Sequence, residues 1–251
     1  MSAGVSSELR AVLRRLKLSP LLATLPERIA LARQRKLPYE EFLEIVLSDE
    51  IARRDRLAGE IRARAARLDP AMRLEAWDES SAVAFDRELW SELTTLRFVE
   101  EAHNVLVMGP VGVGKTHLAS ALGHIACRRR CSVAFHRTDR LLKHLKAARL
   151  GATYEAEMRK LIRVDLLILD DFCLHALDAT ETGDIYEIVV ERHLRSSTIV
   201  TSNREPPEWL QVMADPLLAQ SAIDRLQSAA YELVVEGESY RRRQKPGRKA
   251  P

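Results

Sequence analysis

The chain has 251 residues, 46% of them apolar and 5% aromatic, with a formal net charge of +3. That length supports a self-sufficient core without disulfides or a structural metal, and three cysteines (Cys127, Cys131, Cys173) fit reduced thiols in a cytoplasmic protein. No apolar run reaches the ~18–20 residues of a membrane span, and Met1–Arg15 lacks the apolar core and cleavage site of a secretory signal.

In chain order, Leu9, Val12, Leu13 and Leu16 recur at helical spacing until Ser19-Pro20 ends the segment. A second helix is predicted from Pro26, with proline in its first turn, to about Lys36, and Leu37-Pro38 breaks it. Tyr39–Leu47 predicts a short amphipathic stretch. Ser48 then reads as the N-cap of a long helix ending before Asp69-Pro70. That helix carries Arg53, Arg54, Arg56, Arg62, Arg64 and Arg67 beside an apolar stripe of Ile51, Leu57, Ile61, Ala65 and Leu68. Residues 1–75 therefore predict a small helical domain.

From about residue 76 strands alternate with helices. Helices are predicted over Asp86–Leu96, Thr116–Cys127, Asp139–Arg149 and Thr180–Leu194, and strands over Asn104–Met108, Ser132–His136, Leu166–Leu169 and Ser197–Thr201. Short apolar strands alternating with helices imply an α/β fold, a parallel sheet covered by helices on both faces. Residues 76–240 form this second domain, and 241–251 a basic tail. Charge is uneven: 15 basic against 11 acidic residues in 1–75, 18 against 25 in 76–240, and six against none in the tail. Basic ends around an acidic middle fit either contact with a polyanion or solvated helix faces and a basic arm.

The chemistry sits after the strand Asn104–Met108. Gly109-Pro110-Val111-Gly112-Val113-Gly114-Lys115-Thr116 matches G-x-x-x-x-G-K-[ST] in full, between a strand and a helix, and His117 follows it. Glycines let successive N–H groups turn towards phosphates, and the next helix presents its positive end. Lys115 would reach the β- and γ-phosphates of ATP and Thr116 would bind Mg²⁺. Leu166-Leu-Ile-Leu-Asp170-Asp171 places carboxylates at the end of a buried strand, where ligands bind in open α/β sheets. Asp170 would hold Mg²⁺, and Asp171 would orient the attacking water or merely start a loop. Asn203, after the last predicted strand, would bond that water or the γ-phosphate, or serve as a turn residue. His117 reads as a helix-face residue, and Trp77 and Phe85 border the adenine or pack in the core. The seven histidines show no metal-ligand spacing.

These segments, with Thr201-Ser-Asn203 and the closing Glu236-Gly-Glu-Ser-Tyr-Arg241, resemble the IstB-like AAA+ ATPases. These are the transposition helpers of IS21-type insertion sequences, relatives of the DnaC-type helicase loaders. Leu16-Lys-Leu-Ser-Pro20, Tyr39-Glu-Glu-Phe-Leu43 and Glu50-Ile-Ala-Arg-Arg54 resemble that family's N-terminal helical domain, so the likeness runs from about residue 10 to 243. It implies a P-loop AAA+ ATPase domain over 76–240, in a homo-oligomer that assembles on duplex target DNA and engages a partner transposase. It implies Asn203 as sensor 1 and Arg241 as sensor 2. Arg225 is the candidate arginine supplied in trans, with Arg204 or Arg195 as alternatives. The loader pattern has an arginine one helical turn earlier, where this chain has Ser221. The family usually has Glu at Asp171, so the shorter carboxylate implies slow hydrolysis.

Two surfaces compete for DNA: the Arg53–Arg67 helix, and the helix carrying Lys143, Lys146 and Arg149, whose equivalent lines a central groove in related AAA+ assemblies. Neither interleaves aromatics, which predicts phosphate-led, weakly selective duplex binding. Arg241–Arg243 and Lys245–Lys249 would extend the contact. The alternative reading is a replicative helicase loader that prefers single strands and a hexameric partner. A metabolic kinase would need an acceptor pocket and lid, for which no segment is a candidate.

Overall fold

The structure, a computed structural model, describes residues 5–78 and 83–240. It divides into two compact units, Met1–Ala58 and Gly59–Pro251.

The first unit is helical. Helix α1 (Ser7–Arg15) starts where the Ser6 hydroxyl accepts the Leu9 N–H at 3.2 Å, with Glu8 in its first turn and Arg14 and Arg15 in its last. A 3₁₀ turn at Ser19–Ala23 follows, then α2 (Leu25–Arg35), which stops at Lys36 in the left-handed conformation. Leu13, Leu21, Leu25 and Val46 form the buried centre. A bidentate pair from Arg28 to Asp49, at 2.7 and 3.1 Å, ties α2 to α3 (Tyr39–Ala65).

Helix α3 corrects the expected break at Ser48. It runs unbroken through that residue, because neither proline nor glycine interrupts residues 39–58 and the apolar spacing continues on both sides. Of the five residues of the predicted stripe, Leu68 alone is buried. Ile51 and Ile61 are exposed, whereas Ala63 and Ala66 are buried in the second unit's core together with Leu68 beyond the helix. The expected boundary near residue 75 therefore lies at Ala58/Gly59. Residues from Gly59 onward belong to the sheet: Arg62 Nε donates to the Cys127 carbonyl at 2.7 Å, and the Phe135 N–H to the Ala66 carbonyl at 2.9 Å.

The second unit continues through a 3₁₀ turn at Leu74–Ala76, strand β1 (Val83–Ala84), α4 (Arg87–Thr94, capped by Asp86) and α5 (Arg97–Glu100). Then come β2 (Asn104–Met108), α6 (Lys115–Arg128), β3 (Val133–Arg137), α7 (Thr138–Leu150), α8 (Tyr154–Arg163) and β4 (Leu166–Asp170). The unit ends with α9 (Ala179–Arg192), β5 (Ser197–Ser202), α10 (Pro206–Val212), α11 (Pro216–Gln227), β6 (Ala230–Val234) and β7 (Glu236–Gly237). Five parallel strands lie in the order β3-β4-β5-β2-β6, while β1 and β7 form a separate antiparallel pair. The four expected strands are present and β6 is the fifth. Side chains alternate across the sheet. Leu106, Met108, Leu167, Leu169 and Val200 face α7–α11; Val105, Val107, Leu166, Ile168 and Ile199 face α4–α6. This is the doubly covered parallel sheet that the apolar strands predict.

Arg192 is buried on α9. Its guanidinium donates to the carbonyls of Leu161, Ile162, Val164 and Ser197 and to the Thr198 hydroxyl, tying the end of α8 to the start of β5. Burial lowers its pKa to about 10, so it stays protonated at neutral pH.

Candidate nucleotide site

Strand β2 ends at Met108, and the loop Gly109–Gly114 leads directly into α6. Its glycines have no substitute. Gly112 has φ +88° and its absent Cβ would meet the Ser239 hydroxyl; Gly114 has φ +102° and a Cβ there would lie 2.7 Å from the Trp77 ring. The loop is therefore held from outside by two segments distant in sequence. From the C-terminal side, Val235 donates its N–H to the Met108 carbonyl at 2.7 Å and Tyr240 to the Gly112 carbonyl at 2.9 Å. From the other side, Trp77 meets Phe85 and His117 edge-on, with centroids 6.0 and 5.3 Å apart. His117 Nε2 lies 2.9 Å from the Arg73 carbonyl, so it braces Trp77 as a helix-face residue should.

A cavity of about 430 Å³, within the range of small-molecule sites, opens on this loop. Its polar lining includes Lys115, Thr116, Arg137, Asp171 and Asn203; Met72, Ala76, Trp77, Val83 and Tyr240 supply apolar surface. The Lys115 ammonium donates to the carbonyls of Gly109 and Pro110, both at 2.7 Å, and so lies across the loop it would serve.

Facing the loop, the Asp170 carboxylate is 3% exposed at the end of β4. Its Oδ1 accepts from the hydroxyls of Thr116 at 2.8 Å and Thr201 at 2.6 Å. Burial pushes its carboxyl above the ordinary range, and the two hydroxyls oppose that shift. A buried carboxylate beside a threonine hydroxyl is an oxygen donor set fit for a hard divalent cation. Next along the chain, Asp171 has φ +54°, its N–H donates to the Thr201 hydroxyl at 3.1 Å, and its carboxylate accepts from Arg137 Nη2 at 2.9 Å.

The fold thus brings Gly112–His117, Asp171 and Asn203 to one cavity and sets Asp170 against Thr116. Arg225 lies on α11 outside the cavity lining, where its Nη1 donates to the Ser221 carbonyl at 2.8 Å and to the Ser221 hydroxyl. Arg195 reaches Glu191 at 3.4 Å, and Arg204 Nε is buried with no hydrogen-bond partner among the described residues. Arg241 lies outside the described residues. Of the proposed DNA contacts, Arg53 and Arg54 are engaged by Glu50, Arg62 by the Cys127 carbonyl, Lys146 by Asp178 and Arg149 by Asp184. Arg56, Arg64 and Lys143 are exposed. Burial raises the Cys127 thiol to about 11 and Cys173 to about 12, so neither supplies a thiolate.

Sequence reasoning missed Arg137 and Thr201 as site residues. Thr201 was legible as the third-last residue of the quoted Thr-Ser-Asn segment. Arg137 carried no motif, because only the pairing of β3 with β4 sets it beside Asp171, with Arg137 registered against Asp170.

Among the described residues no helix is long and apolar enough to cross a membrane. The model of the IstB-like ATP binding protein family matches residues 11–248. An ATP-binding protein of an insertion sequence from Mycobacterium tuberculosis is 36% identical over 241 residues, 96% of each chain. The ATP-binding protein of insertion sequence IS21 from Pseudomonas aeruginosa is 35% identical over 238 residues, 95% of this chain and 90% of that one. Among solved structures, DnaI superposes with a TM-score of 0.55 at 22% identity, over 66% of this chain and 89% of that one. AMPPCP-bound DnaA from Aquifex aeolicus does so with 0.54 at 24%, over 66% of this chain and only half of that one. These structural likenesses show the fold alone, a parallel sheet with helices on both faces. With its complete phosphate loop and near full-length match, the chain belongs to the IstB-like ATP-binding proteins of insertion sequences.

Proposed function

We propose that this protein hydrolyses ATP as a DNA-binding oligomer that assists transposition, assembling on duplex target DNA and engaging a partner transposase. The observation that carries the catalytic part is the meeting of Thr116 with the buried Asp170 across the mouth of the phosphate loop, with Asp171 next in sequence. The loop's N–H groups and the first turn of α6 receive the phosphates, and Lys115 exchanges its loop carbonyls for the β- and γ-oxygens. Thr116 and Asp170 hold Mg²⁺, which when bound neutralises charge on those oxygens. Asp171 leaves its pair with Arg137 to orient a water and accept its proton, while Asn203 bonds the same water or the γ-phosphate. Arg241 closes the site as sensor 2, and Arg225 serves a neighbouring subunit once released from Ser221; Arg204 and Arg195 are the alternatives.

DNA meets phosphate-binding cations on α3 and α7, foremost Arg56, Arg64 and Lys143. A helper role is favoured over a helicase loader because the relatives matched over nearly the whole chain are insertion-sequence proteins, whereas the loader-like structures share the fold alone. The test is Lys115→Ala. Purified protein should bind a fluorescent ATP analogue with magnesium, and should bind duplex DNA more tightly with ATP than without. The variant should lose at least roughly tenfold in nucleotide affinity and lose the ATP effect on DNA. A variant that assembles on DNA with ATP as the parent does would refute the nucleotide switch.

A further inference from the structure

A second cavity, of about 530 Å³, lies along β3, the edge strand of the sheet. It is lined from separate parts of the second unit: Arg67 just beyond α3, Phe135 and His136 on β3, Arg140 on α7, and Glu157 and Lys160 on α8. Its single carboxylate, Glu157, is already shared between Lys160 Nζ at 2.6 Å and His144 Nε2 at 3.1 Å. The guanidinium groups of Arg67 and Arg140 make no hydrogen bond or ion pair among the described residues, and both residues are exposed. Burial holds His136 down to about 4, so the positive charge comes from the guanidinium groups. The lining also carries apolar surface, from half-buried Phe135, which packs on the α4–α6 side of the sheet, and from Leu141 and Leu161 on the other side.

Unneutralised guanidinium forks match phosphate oxygens in geometry and charge. Apolar and aromatic surface in the same cavity suits a ligand that alternates charge with flat apolar faces, as a nucleotide chain does. A cavity of this volume admits an unpaired base, which a stacked duplex does not present. We propose that this groove binds single-stranded nucleic acid, with Arg67 and Arg140 each taking a phosphate and Phe135 offering a stacking face to a base. The inference rests on the nucleic-acid part of the function proposed above, and adds a single-strand site that takes Arg67 from the end of the basic segment.

The test uses the full chain and three probes read by fluorescence anisotropy: labelled oligothymidylate, a duplex of the same length, and a fluorescent ATP analogue. Arg67 has φ +63°, so asparagine, which tolerates that backbone, replaces it. In Arg67→Asn with Arg140→Ala, the single-strand Kd should rise about tenfold or more. Its salt dependence should flatten by roughly 1.4, two contacts at about 0.7 each, with ATP affinity unchanged and the single-strand loss exceeding any loss of duplex affinity. Phe135→Leu should weaken single-strand binding by roughly fivefold or more while Phe135→Tyr retains it. Unchanged single-strand affinity and salt slope in the double variant overturn the proposal, as does displacement of oligothymidylate by polyglutamate as effectively as by unlabelled strand. A wild-type protein that binds duplex but no single strand overturns the groove alone; one that binds neither also removes the nucleic-acid part of the proposed function.

Discussion

The role proposed for Asp171 requires its carboxylate to give up a partner. In this structure its carboxylate accepts from Arg137, while its backbone, at φ +54°, is fixed by the Thr201 hydroxyl. Neither residue is deeply buried in that pair, at 42% and 38% side-chain exposure, so solvent screens the attraction and release is cheap. Asp170 beneath it is shut in by two threonine hydroxyls and has no comparable freedom. The two adjacent aspartates therefore differ in environment. Asp171→Asn keeps the shape and removes the proposed base. It is expected to lower steady-state ATP turnover by about 10²–10⁴-fold with nucleotide affinity within about threefold of the parent, as read by phosphate release and analogue titration. Turnover close to the parent's would assign the water to another group.

At the scale of the elements, two helices illustrate how packing overrides local pattern. Helix α9 carries Gly183 in its interior, and a Cβ there would meet nothing within 4 Å. Gly183→Ala removes unfolded-chain freedom at no steric cost and is expected to stabilise the protein by about 0.5–1 kcal/mol, seen as a higher urea midpoint. Helix α3 carries Glu50, 4% exposed and held by Arg53 and Arg54 at 2.7 Å each. Those guanidinium groups, Arg53 first, draw its carboxyl from the ordinary 4.5 down to about 2 against the opposing effect of burial. Because the folded value is depressed, the stabilisation is complete above about 4.5 and is lost as pH falls towards 2. Glu50→Gln should remove that component, so the stability gap between parent and variant, measured by denaturant unfolding, should close across this window. The same pairing engages two of the six arginines legible as a basic stripe, and the Cys127 carbonyl engages a third, Arg62. Arg149 illustrates the same point on α7: it lies 3.6 Å over the Tyr154 ring and pairs with the buried Asp184, joining α7, α8 and α9. A linear sequence shows the charge and not the carboxylate that meets it.

At the scale of the molecule, the nucleotide cavity is walled by segments from residue 72 to residue 240, so it exists only once the second unit is closed. Oligomer formation is testable without knowing the subunit number. Mixing Arg225→Ala with Asp171→Ala protein should restore part of the ATP turnover that each variant lacks alone, if an arginine acts in trans; no recovery would direct the assignment to Arg204 or Arg195. The sheet, its alternating faces, the phosphate loop and the Asp170-Asp171 pair were all legible beforehand, because each is encoded by residues within a few positions of one another: apolar runs, glycines, a lysine and a strand-end carboxylate. What only folding decided is which distant groups meet there. The Trp77 ring against Gly114, the Tyr240 N–H on the Gly112 carbonyl, Arg137 on Asp171 and the groove shared by Arg67, Phe135 and Arg140 all join residues separated by 34 or more positions or by strand order. Local physics specifies helices, strands and turns; contacts between them depend on the sheet order and packing of the whole chain, which no short window of sequence contains.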